Sequence, residues 1–213
     1  MSHKNKFQID MHPNSDFPVK DLLCQLRDLM EDELKDYRFV HTMGVANTAA
    51  AMAFKWEVNL EQALVAGMLH DCAKNIPIDE QIRLCEKYDL HLSDKEMQIP
   101  SLIHAPLGAC LAKEKYGVND EEVLSAIRYH TTGRPAMTAL EKIVYVADYM
   151  EPTRKATSTR TLVRKEAFED LDLCVYHTAK SVLEYLVEIG EDIDDMTRQT
   201  CDYYERKTHG RNK

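Results

Sequence analysis

Apolar residues recur along this chain at spacings of three and four residues, which places them on one face of a helix. In the first such stretch the apolar positions are Val19, Leu22, Leu23, Leu26, Leu29 and Met30. Residues 60–73 are apolar almost all round, so this helix is expected to lie at the centre of a bundle. The complete set of predicted helices covers residues 19–36, 38–56, 60–73, 79–88, 106–117, 120–130, 138–150, 170–189 and 194–207.

Turn-forming residues separate these helices and set the limits of the domain. The Ile76-Pro77 pair interrupts the apolar pattern, and Pro106 and Gly117 mark the start and end of another helix. The stretch from Pro152 to Thr161 is rich in Thr and Ser and is predicted to be a loop. The predicted organisation is a flexible leader over residues 1–18, a single helical domain over residues 19–207 and a polar tail over residues 208–213.

The composition favours an all-α fold. Ala, Leu and Met together supply 49 residues, against 23 for the β-branched Val and Ile, and this balance favours helices over strands. Gly and Pro number seven each, fewer than turn-rich sandwiches and barrels use. With 44% apolar and 30% charged residues, the chain can bury a core and keep a solvated surface, which excludes wholesale disorder.

Charge and cysteine content limit the partners and the compartment. A formal net charge of −9 and a pI of about 5.5 disfavour nucleic-acid polymers and anionic membranes as partners. No apolar run approaches the roughly 18 residues of a membrane-spanning helix, and the first residues lack an apolar signal region. The six cysteines are scattered without a CxxC pair, as expected of reduced thiols in the cytoplasm. The sequence does not decide the oligomeric state, and it allows a homodimer.

Six titratable residues fall on predicted helices or at a helix entrance, where their neighbours are apolar. They are His41, His70, Asp71, His104, His130 and Asp148. Buried imidazoles and carboxylates cost free energy unless something satisfies them, so their convergence in the core predicts bound metal ions. A single histidine on an apolar face is usually a hydrogen-bonded core residue, but six such residues on five segments are hard to explain one at a time.

The order of these residues resembles the metal-binding signature of the HD-domain phosphohydrolases, which are named for a His-Asp pair like His70-Asp71. Four local strings narrow the resemblance: LVAGMLHDCAKN, LIHAPLGA, IRYHTTGR and VADYMEPTR. Together they resemble the bacterial HD-type symmetrical diadenosine tetraphosphate hydrolases, from about residue 20 to residue 207. The resemblance implies an all-α HD-domain bundle with a two-metal site at its centre.

The resemblance also implies how the ligands divide between the two ions. Four residues would hold one ion: His41, His70, Asp71 and Asp148. Asp71 would bridge to the second ion, which His104 and His130 would also bind. Imidazole nitrogen and carboxylate oxygen suit divalent or trivalent Fe, Mn, Co, Ni or Zn, and the resemblance favours iron. A water shared between the ions would lose a proton near neutral pH and attack a central phosphorus, which would release two ADP.

Cations and hydroxyls near these ligands are candidates for binding the substrate phosphates. They are Lys74, Thr131, Thr132, Gly133, Arg134 and Arg154. Lys74 lies one turn beyond His70, although a solvated lysine at a helix end is an equally good interpretation. Arg134 follows the polar HTTG turn and could grip a phosphate with two hydrogen bonds. Because Lys74 and Arg134 lie closer in sequence to a predicted ligand, they rank above Arg154.

Three other interpretations of the same residues stay open at this point. The chain could be an HD phosphohydrolase of another nucleotide, such as a monophosphate, a cyclic dinucleotide or a guanosine polyphosphate. It could be a di-iron oxygenase built on the same ligand set, or a bundle that uses buried histidines only for protein binding. The Thr-Gly-Arg turn favours a polyphosphate ligand, and the resemblance implies a small-molecule dinucleoside polyphosphate.

Overall fold

The computed structural model describes residues 19–210, and regular structure in that range is entirely helical, which confirms the predicted all-α class. Its α-helices are α1 (Val19–Glu33), α2 (Asp36–Trp56), α3 (Leu60–Leu69), α4 (Ile78–Lys87), α5 (Asp94–Gln98), α6 (His104–Glu114), α7 (Glu121–Arg128), α8 (Ala139–Met150), α9 (Ser158–Glu166), α10 (Leu171–Ile189) and α11 (Asp195–His209). A 3₁₀ turn at Pro100–Leu102 precedes α6. The predicted leader over residues 1–18 lies outside the described residues, as do residues 211–213 of the predicted tail.

The core forms around α3, which packs closely against α2. A Cβ on Gly67 of α3 would lie 2.7 Å from the Cα of Ala46 in α2, so the two backbones meet where Gly67 lacks a side chain. Every residue of α3 from Ala63 to Leu69 is buried, as its apolar sequence predicts. Helices α1, α7 and α8 also pack against α3. Side chains at its C-terminal end are therefore shielded from water.

Helix α3 ends at Leu69, short of the predicted end at residue 73, and His70-Asp71 lies in the turn that follows. The Nδ1 of His70 donates to Gly67 O at 2.7 Å, and this is the carbonyl that the Asp71 N–H would use if the helix continued. The chain continues in turns, with Lys74 N–H donating to Asp71 O at 2.9 Å. An apolar sequence does not distinguish a long buried helix from a shorter helix followed by a buried turn.

Two helices begin where the sequence pattern predicts a loop or no element. Helix α9 starts inside the stretch from Pro152 to Thr161, because the Thr157 side chain accepts a hydrogen bond from Arg160 N–H at 3.1 Å and caps the helix. The loop prediction is wrong for that part of the stretch, since Thr and Ser mark helix starts as well as loops. Helix α5 starts with a capping box between Ser93 and Glu96. That Ser-x-x-Glu spacing is readable in the sequence.

The turn between α7 and α8 is held in place by α11. Met137 N–H donates to the hydroxyl of Tyr204 at 2.9 Å, and Tyr204 is fully buried. Gly133 has a φ of +63°, and a Cβ there would lie 2.7 Å from Thr200 Cγ2. Glycine suits both the left-handed backbone and the close contact. Residues 130–134 are therefore fixed between α7 and α11, beside the end of α3.

The cysteines take no part in cross-links, and all six are free thiols. Burial raises the pKa of Cys72 to about 12 and that of Cys85 to about 11, so neither thiol is reactive near neutral pH. Within residues 19–210, none of the helices combines the length and the apolar character that crossing a membrane requires.

Candidate metal centre

Three of the four central histidines are oriented by the same kind of backbone contact. Each donates from Nδ1 to a carbonyl three residues earlier, at 2.7 Å: His70 to Gly67 O, His104 to Ser101 O and His130 to Ile127 O. Only a protonated nitrogen can donate to a carbonyl, so Nδ1 carries the ring proton. Each Nε2 is left with a lone pair, which is the form in which imidazole binds a metal.

His41 is oriented by a carboxylate instead of a carbonyl. Its Nδ1 lies 3.1 Å from Glu151 Oε1, and Glu151 is fully buried just after α8. Thr153 N–H also donates to Glu151, at 2.6 Å. A Cβ at Gly44, one turn after His41, would collide with the Glu151 carboxylate. Sequence reasoning misses Glu151, because a carboxylate that follows a helix end is usually solvated.

Asp71 lies between two pairs of histidines. Its Oδ2 is 3.6 Å from His70 Nε2 and 3.9 Å from His41 Nε2. Its Oδ1 is 3.4 Å from both His104 Nε2 and His130 Nε2. One carboxylate thus offers a separate oxygen to each pair, which is the arrangement that bridging two metal ions requires.

Asp148 adds a second carboxylate, which lies closer to one of the two pairs. Its Oδ1 is 3.0 Å from His41 Nε2 and 3.8 Å from His70 Nε2. The other pair has a hydroxyl, since Thr131 Oγ1 lies 3.2 Å from His104 Nε2 and 3.1 Å from His130 Nε2. We name two groups that share Asp71: the Asp148 side consists of His41, His70 and Asp148, and the Thr131 side consists of His104, His130 and Thr131.

The donor atoms converge closely enough to hold metal ions. The two Nε2 atoms are 3.3 Å apart in the His41–His70 pair and 3.2 Å apart in the His104–His130 pair. In the His104–His130 pair two nitrogen lone pairs face each other at this distance and repel, so the pair favours a cation that both rings can bind. Groups of three possible ligand atoms within 4.8 Å of one another occur on both sides of Asp71. These nitrogen and oxygen donors fit divalent transition-metal ions.

Burial and neighbouring charges keep most of these groups in the forms that bind metals. Burial lowers the pKa of His70 to about 4 and that of His104 to about 3, so both rings are neutral near pH 7. Burial alone would raise the pKa of Asp71 and of Asp148, but the facing histidines outweigh it and hold both pKa values below their usual range. For His41, contact with Asp148 outweighs burial and raises the pKa.

Two of the predicted phosphate-binding cations contact this cluster. Arg154 Nη2 donates to Asp148 Oδ1 at 2.5 Å and lies 3.4 Å from His41 Nε2. Lys74 Nζ lies 3.2 Å from His104 Nε2. Each side of the cluster therefore has one cation at its edge.

Arg38 is a third cation at the cluster, and sequence reasoning misses it. Its Nη1 donates to Asp71 Oδ2 at 2.6 Å, and its side chain is mostly buried. Arg38 lies one turn before His41 in α2, so the two side chains share a helix face. That spacing is the available signal, but an arginine on a helix is usually solvated and does not stand out.

The predicted residues of the α7–α8 turn separate in the structure. Thr131 borders the cluster, whereas the Thr132 hydroxyl donates to Gly133 O at 2.9 Å. Gly133 packs against Thr200 of α11. Of these neighbouring residues, Thr131 alone has a hydroxyl in contact with the cluster histidines.

Arg134 lies away from the cluster. Its Nε donates to Glu141 Oε1 at 2.9 Å, and Glu141 is buried in the first turn of α8. Its guanidinium lies 5.3 Å from the centre of the Tyr129 ring. Of the predicted cations, the structure brings Lys74 and Arg154 to the cluster but does not bring Arg134 there, because the buried carboxylate of Glu141 holds it.

The cluster opens into a cavity of about 690 Å³, a size typical of small-molecule sites. Its walls include Lys74, His130, Thr131, Asp148 and Arg154. Side chains from α8, α9 and α10 complete the cavity. The two sides of the cluster are thus reachable from a single opening, which we name the metal cavity.

Comparison with known families agrees with this geometry. The family model of the HD domain matches residues 38–153, a range that includes all six predicted ligands. The chain belongs to the HD domain family. The resemblance to HD-domain proteins noted in the sequence is therefore confirmed.

Relatives of this HD-domain chain carry the names of hydrolases. The symmetrical bis(5'-nucleosyl)-tetraphosphatase of Bacillus subtilis strain 168 is 41% identical over 166 residues, which cover 77% of this chain and 87% of the relative. The protein of the same name from Staphylococcus aureus strain NCTC 8325 / PS 47 is 32% identical over 83% of this chain and 91% of its own length.

A solved structure is similar over most of the fold. It is described as a predicted HD superfamily hydrolase involved in NAD metabolism from Clostridium acetobutylicum. Its TM-score with this chain is 0.82 at 34% sequence identity, and the match covers 86% of this chain and 97% of that one. The similarity therefore extends beyond the HD segment to the helices that follow it.

Proposed function

We propose that this protein is a metal-dependent hydrolase that cleaves diadenosine tetraphosphate symmetrically into two molecules of ADP. The observation that carries the proposal is the position of Asp71, which offers one oxygen to each of two histidine pairs beside a cavity lined by cations. The names of the relatives from Bacillus subtilis and Staphylococcus aureus support this substrate.

The residues proposed to hold the metals are the histidines on both sides of the cluster, with Asp148 on one side and Asp71 shared. Two bound ions would act as Lewis acids on the phosphoryl oxygens and would lower the pKa of water. The donor set accepts Fe, Mn, Co, Ni or Zn. Iron is our choice among them, supported by the resemblance to the HD-type tetraphosphate hydrolases.

The chain's own part in the reaction begins with orientation of the ligands. The Nδ1 contacts described above hold the rings before substrate binds, so little reorganisation is needed during the reaction. Arg38 fixes Asp71 through its hydrogen bond to Oδ2. Glu151 does the same for His41. These groups position the ligands and do not touch the substrate.

The phosphates require cations, because the chain as a whole carries a formal charge of −9. Arg154 and Lys74 line the metal cavity, and both can donate hydrogen bonds to phosphoryl oxygens while the cluster binds the reacting phosphate. Arg154 is the stronger candidate, since its planar guanidinium can make two parallel bonds. The Thr131 hydroxyl, which also lines the cavity, can donate to a third phosphate oxygen.

Product analysis tests the proposal directly. Anaerobically purified protein should convert diadenosine tetraphosphate to ADP as the sole nucleotide product on anion-exchange chromatography. A chelator should abolish turnover, and added iron or manganese should restore it. Equal amounts of ATP and AMP would contradict symmetrical cleavage.

The same assay separates the proposal from other HD-type activities. A nucleoside monophosphate, a cyclic dinucleotide and a guanosine polyphosphate should each be turned over more slowly than diadenosine tetraphosphate. Faster turnover of any of them would overturn the substrate assignment while leaving the metal centre intact. Consumption of oxygen with any of these compounds would indicate oxygenase chemistry instead.

We also propose a cytoplasmic location. Its support is the state of the six cysteines, which are all free thiols, as is usual in reducing compartments. Cell fractionation followed by immunodetection checks this proposal.

A further inference from the structure

The proposed reaction requires room for a nucleoside on both sides of the reacting phosphorus. Symmetrical cleavage breaks a bond between the two central phosphates, so one ADP half extends away from the metals in each direction. This requirement rests on the proposed function. It calls for two separate nucleoside cavities that meet near the cluster.

The metal cavity can accept one of the two halves. Lys74, Arg154 and Arg160 line it and supply positive charge for phosphates. Tyr149 and Tyr185 line it as well, and their rings offer flat apolar surface to a base. This cavity therefore has the chemistry that a complete nucleoside diphosphate needs.

A second cavity of about 320 Å³ adjoins the metal cavity at Thr131. The two cavities share Thr131, Val182 and Leu186 as wall residues. The remaining apolar walls of the second cavity are Ile99, Leu102 and Ile189. Because five of its eleven wall residues are aliphatic and none is basic, we name it the apolar cavity.

Charge distinguishes the two cavities. Both cavities have carboxylates in their walls, but only the metal cavity has lysine and arginine to offset them; neither lines the apolar cavity among the described residues. Glu191, Asp192 and Asp194 lie in the wall of the apolar cavity. Carboxylates repel phosphates, but they accept hydrogen bonds from ribose hydroxyls and from the exocyclic amino group of a base. The apolar cavity is therefore suited to a nucleoside and unsuited to a phosphate.

We propose that the apolar cavity binds the nucleoside of the second ADP half. The aliphatic walls would contact the faces of the base, and the carboxylates would accept from its amino group or its ribose. Thr131 borders both cavities and contacts the cluster histidines, so the phosphates pass from one cavity to the other beside its hydroxyl. The two halves of a symmetrical substrate are bound in cavities of different chemistry.

Two exposed positions at the end of α10 allow a matched test. Ile189 lines the apolar cavity, whereas Val187 lines none of the cavities described above; they are 48% and 68% exposed. A tryptophan at either position is tolerable for folding, because neither side chain is in the core. We expect Ile189→Trp to raise the KM for diadenosine tetraphosphate roughly 10- to 150-fold, the range that follows from losing burial of one large apolar group. Val187→Trp should leave it unchanged.

A compound with one nucleoside provides the internal control. Adenosine 5'-tetraphosphate can place its only nucleoside in the metal cavity, so its inhibition constant should be the same in wild type and Ile189→Trp. Calorimetry with ADP adds a readout that needs no turnover. The metal-loaded wild type should bind two ADP per chain and Ile189→Trp should bind one.

The outcomes separate this inference from the proposed function. If the wild type makes no ADP from diadenosine tetraphosphate, the function is wrong and the second nucleoside site loses its basis. If ADP forms but Ile189→Trp and Val187→Trp have the same KM for diadenosine tetraphosphate, the function stands and the apolar cavity is not a nucleoside site. The inference would also be overturned if Ile189→Trp weakened the KM for diadenosine tetraphosphate and the inhibition constant of adenosine 5'-tetraphosphate by the same factor. Ile189→Glu, with Val187→Glu as its control, repeats the test with a charge in place of bulk.

Discussion

The two sides of the metal cluster differ in the number of carboxylate oxygens that face their histidines. On the Asp148 side, His41 and His70 face Oδ2 of Asp71 and Oδ1 of Asp148. The buried carboxylate of Glu151 lies behind His41 and adds negative charge there. Arg38 and Arg154, which donate to Asp71 Oδ2 and Asp148 Oδ1, offset part of that charge. This side should bind a cation tightly.

The Thr131 side has fewer carboxylate ligands. The carboxylate oxygen nearest to both His104 and His130 is Oδ1 of Asp71, at 3.4 Å, beside the neutral hydroxyl of Thr131. Asp148 is more distant, with an oxygen within 4.8 Å of a His130 nitrogen. The ammonium of Lys74 lies at its edge. A metal ion should therefore be held more weakly here, and Thr131 places this side next to both proposed nucleoside cavities.

The difference indicates that the two sites, which share one bridging carboxylate, hold their ions with unequal affinity. The Asp148 side would keep its ion throughout turnover, and the Thr131 side would exchange its ion more readily. Unequal ligand charge is a physical reason for such an order of affinity, because divalent ions are stabilised by anionic oxygen. Four experiments test this comparison.

The largest effect is expected from Asp71→Ala. Because Asp71 serves both sides, the variant should lose both ions and its turnover should fall by orders of magnitude. Elemental analysis of anaerobically purified protein, paired with the ADP assay, measures both quantities. The control is Asp79→Ala, which removes an exposed carboxylate in the first turn of α4. Retention of two ions in Asp71→Ala would show that the carboxylate is not a bridge.

A smaller loss of metal is expected when only the Thr131 side is changed. His104→Ala should keep one ion per chain and lose turnover mainly through kcat. In the wild type, titration with a chelator should remove one ion well before the other. His91→Ala, in which an exposed ring is removed, should behave as the wild type does. Simultaneous loss of both ions from His104→Ala would mean that the two sides do not differ in affinity.

Two arginines provide the next comparison. Arg154→Ala should lower kcat/KM roughly 10- to 150-fold with unchanged metal content, as expected when a charge-assisted phosphate contact is lost. Arg134→Ala should leave kcat/KM nearly unchanged and destabilise the fold by about 1–3 kcal/mol, because the buried Glu141 loses a partner. Steady-state kinetics and thermal melting separate the two results. A large fall in kcat/KM for Arg134→Ala would instead support the ranking from sequence distance, in which Arg134 stands above Arg154 as a phosphate-binding residue.

The smallest effect is expected from Glu151→Gln. The amide can still accept from His41 Nδ1, but the negative charge behind the ring is lost. Metal affinity on the Asp148 side should fall by roughly 10-fold, the low end of the range for groups that orient a ligating histidine. Competition with a fluorescent chelator measures this change, with the exposed Glu169→Gln as control. Weakening of only the Thr131 side would contradict the assignment of Glu151 to His41.

Much of the fold could be predicted because apolar periodicity marks buried helix faces. That signal is strong for α2, α8 and α10, which are long, and weak for α5, which has five residues and no buried ones. Helix α9 could not be predicted in the same way, because its mean character is polar and its first residues resemble a loop. Its start is nevertheless visible in the capping residue Thr157.

The six residues that meet in the core can be identified from the sequence alone. His41, His70 and Asp148 lie on separate segments, yet each has apolar neighbours at helical spacing. A titratable side chain in such a position requires a partner, because an unpaired one would destabilise the fold. This constraint is local and can be found without knowing how the helices pack.

The cations that join these residues become apparent from the packing of the helices. Arg134 is four residues from His130, yet it turns to Glu141, while Arg38 and Arg154 reach Asp71 and Asp148. Long flexible side chains pair with whichever charge lies closest in space, and sequence distance does not measure that separation. The packing also sets the unequal number of carboxylates on the two sides, because the partners of each Asp71 oxygen come from different helices and turns.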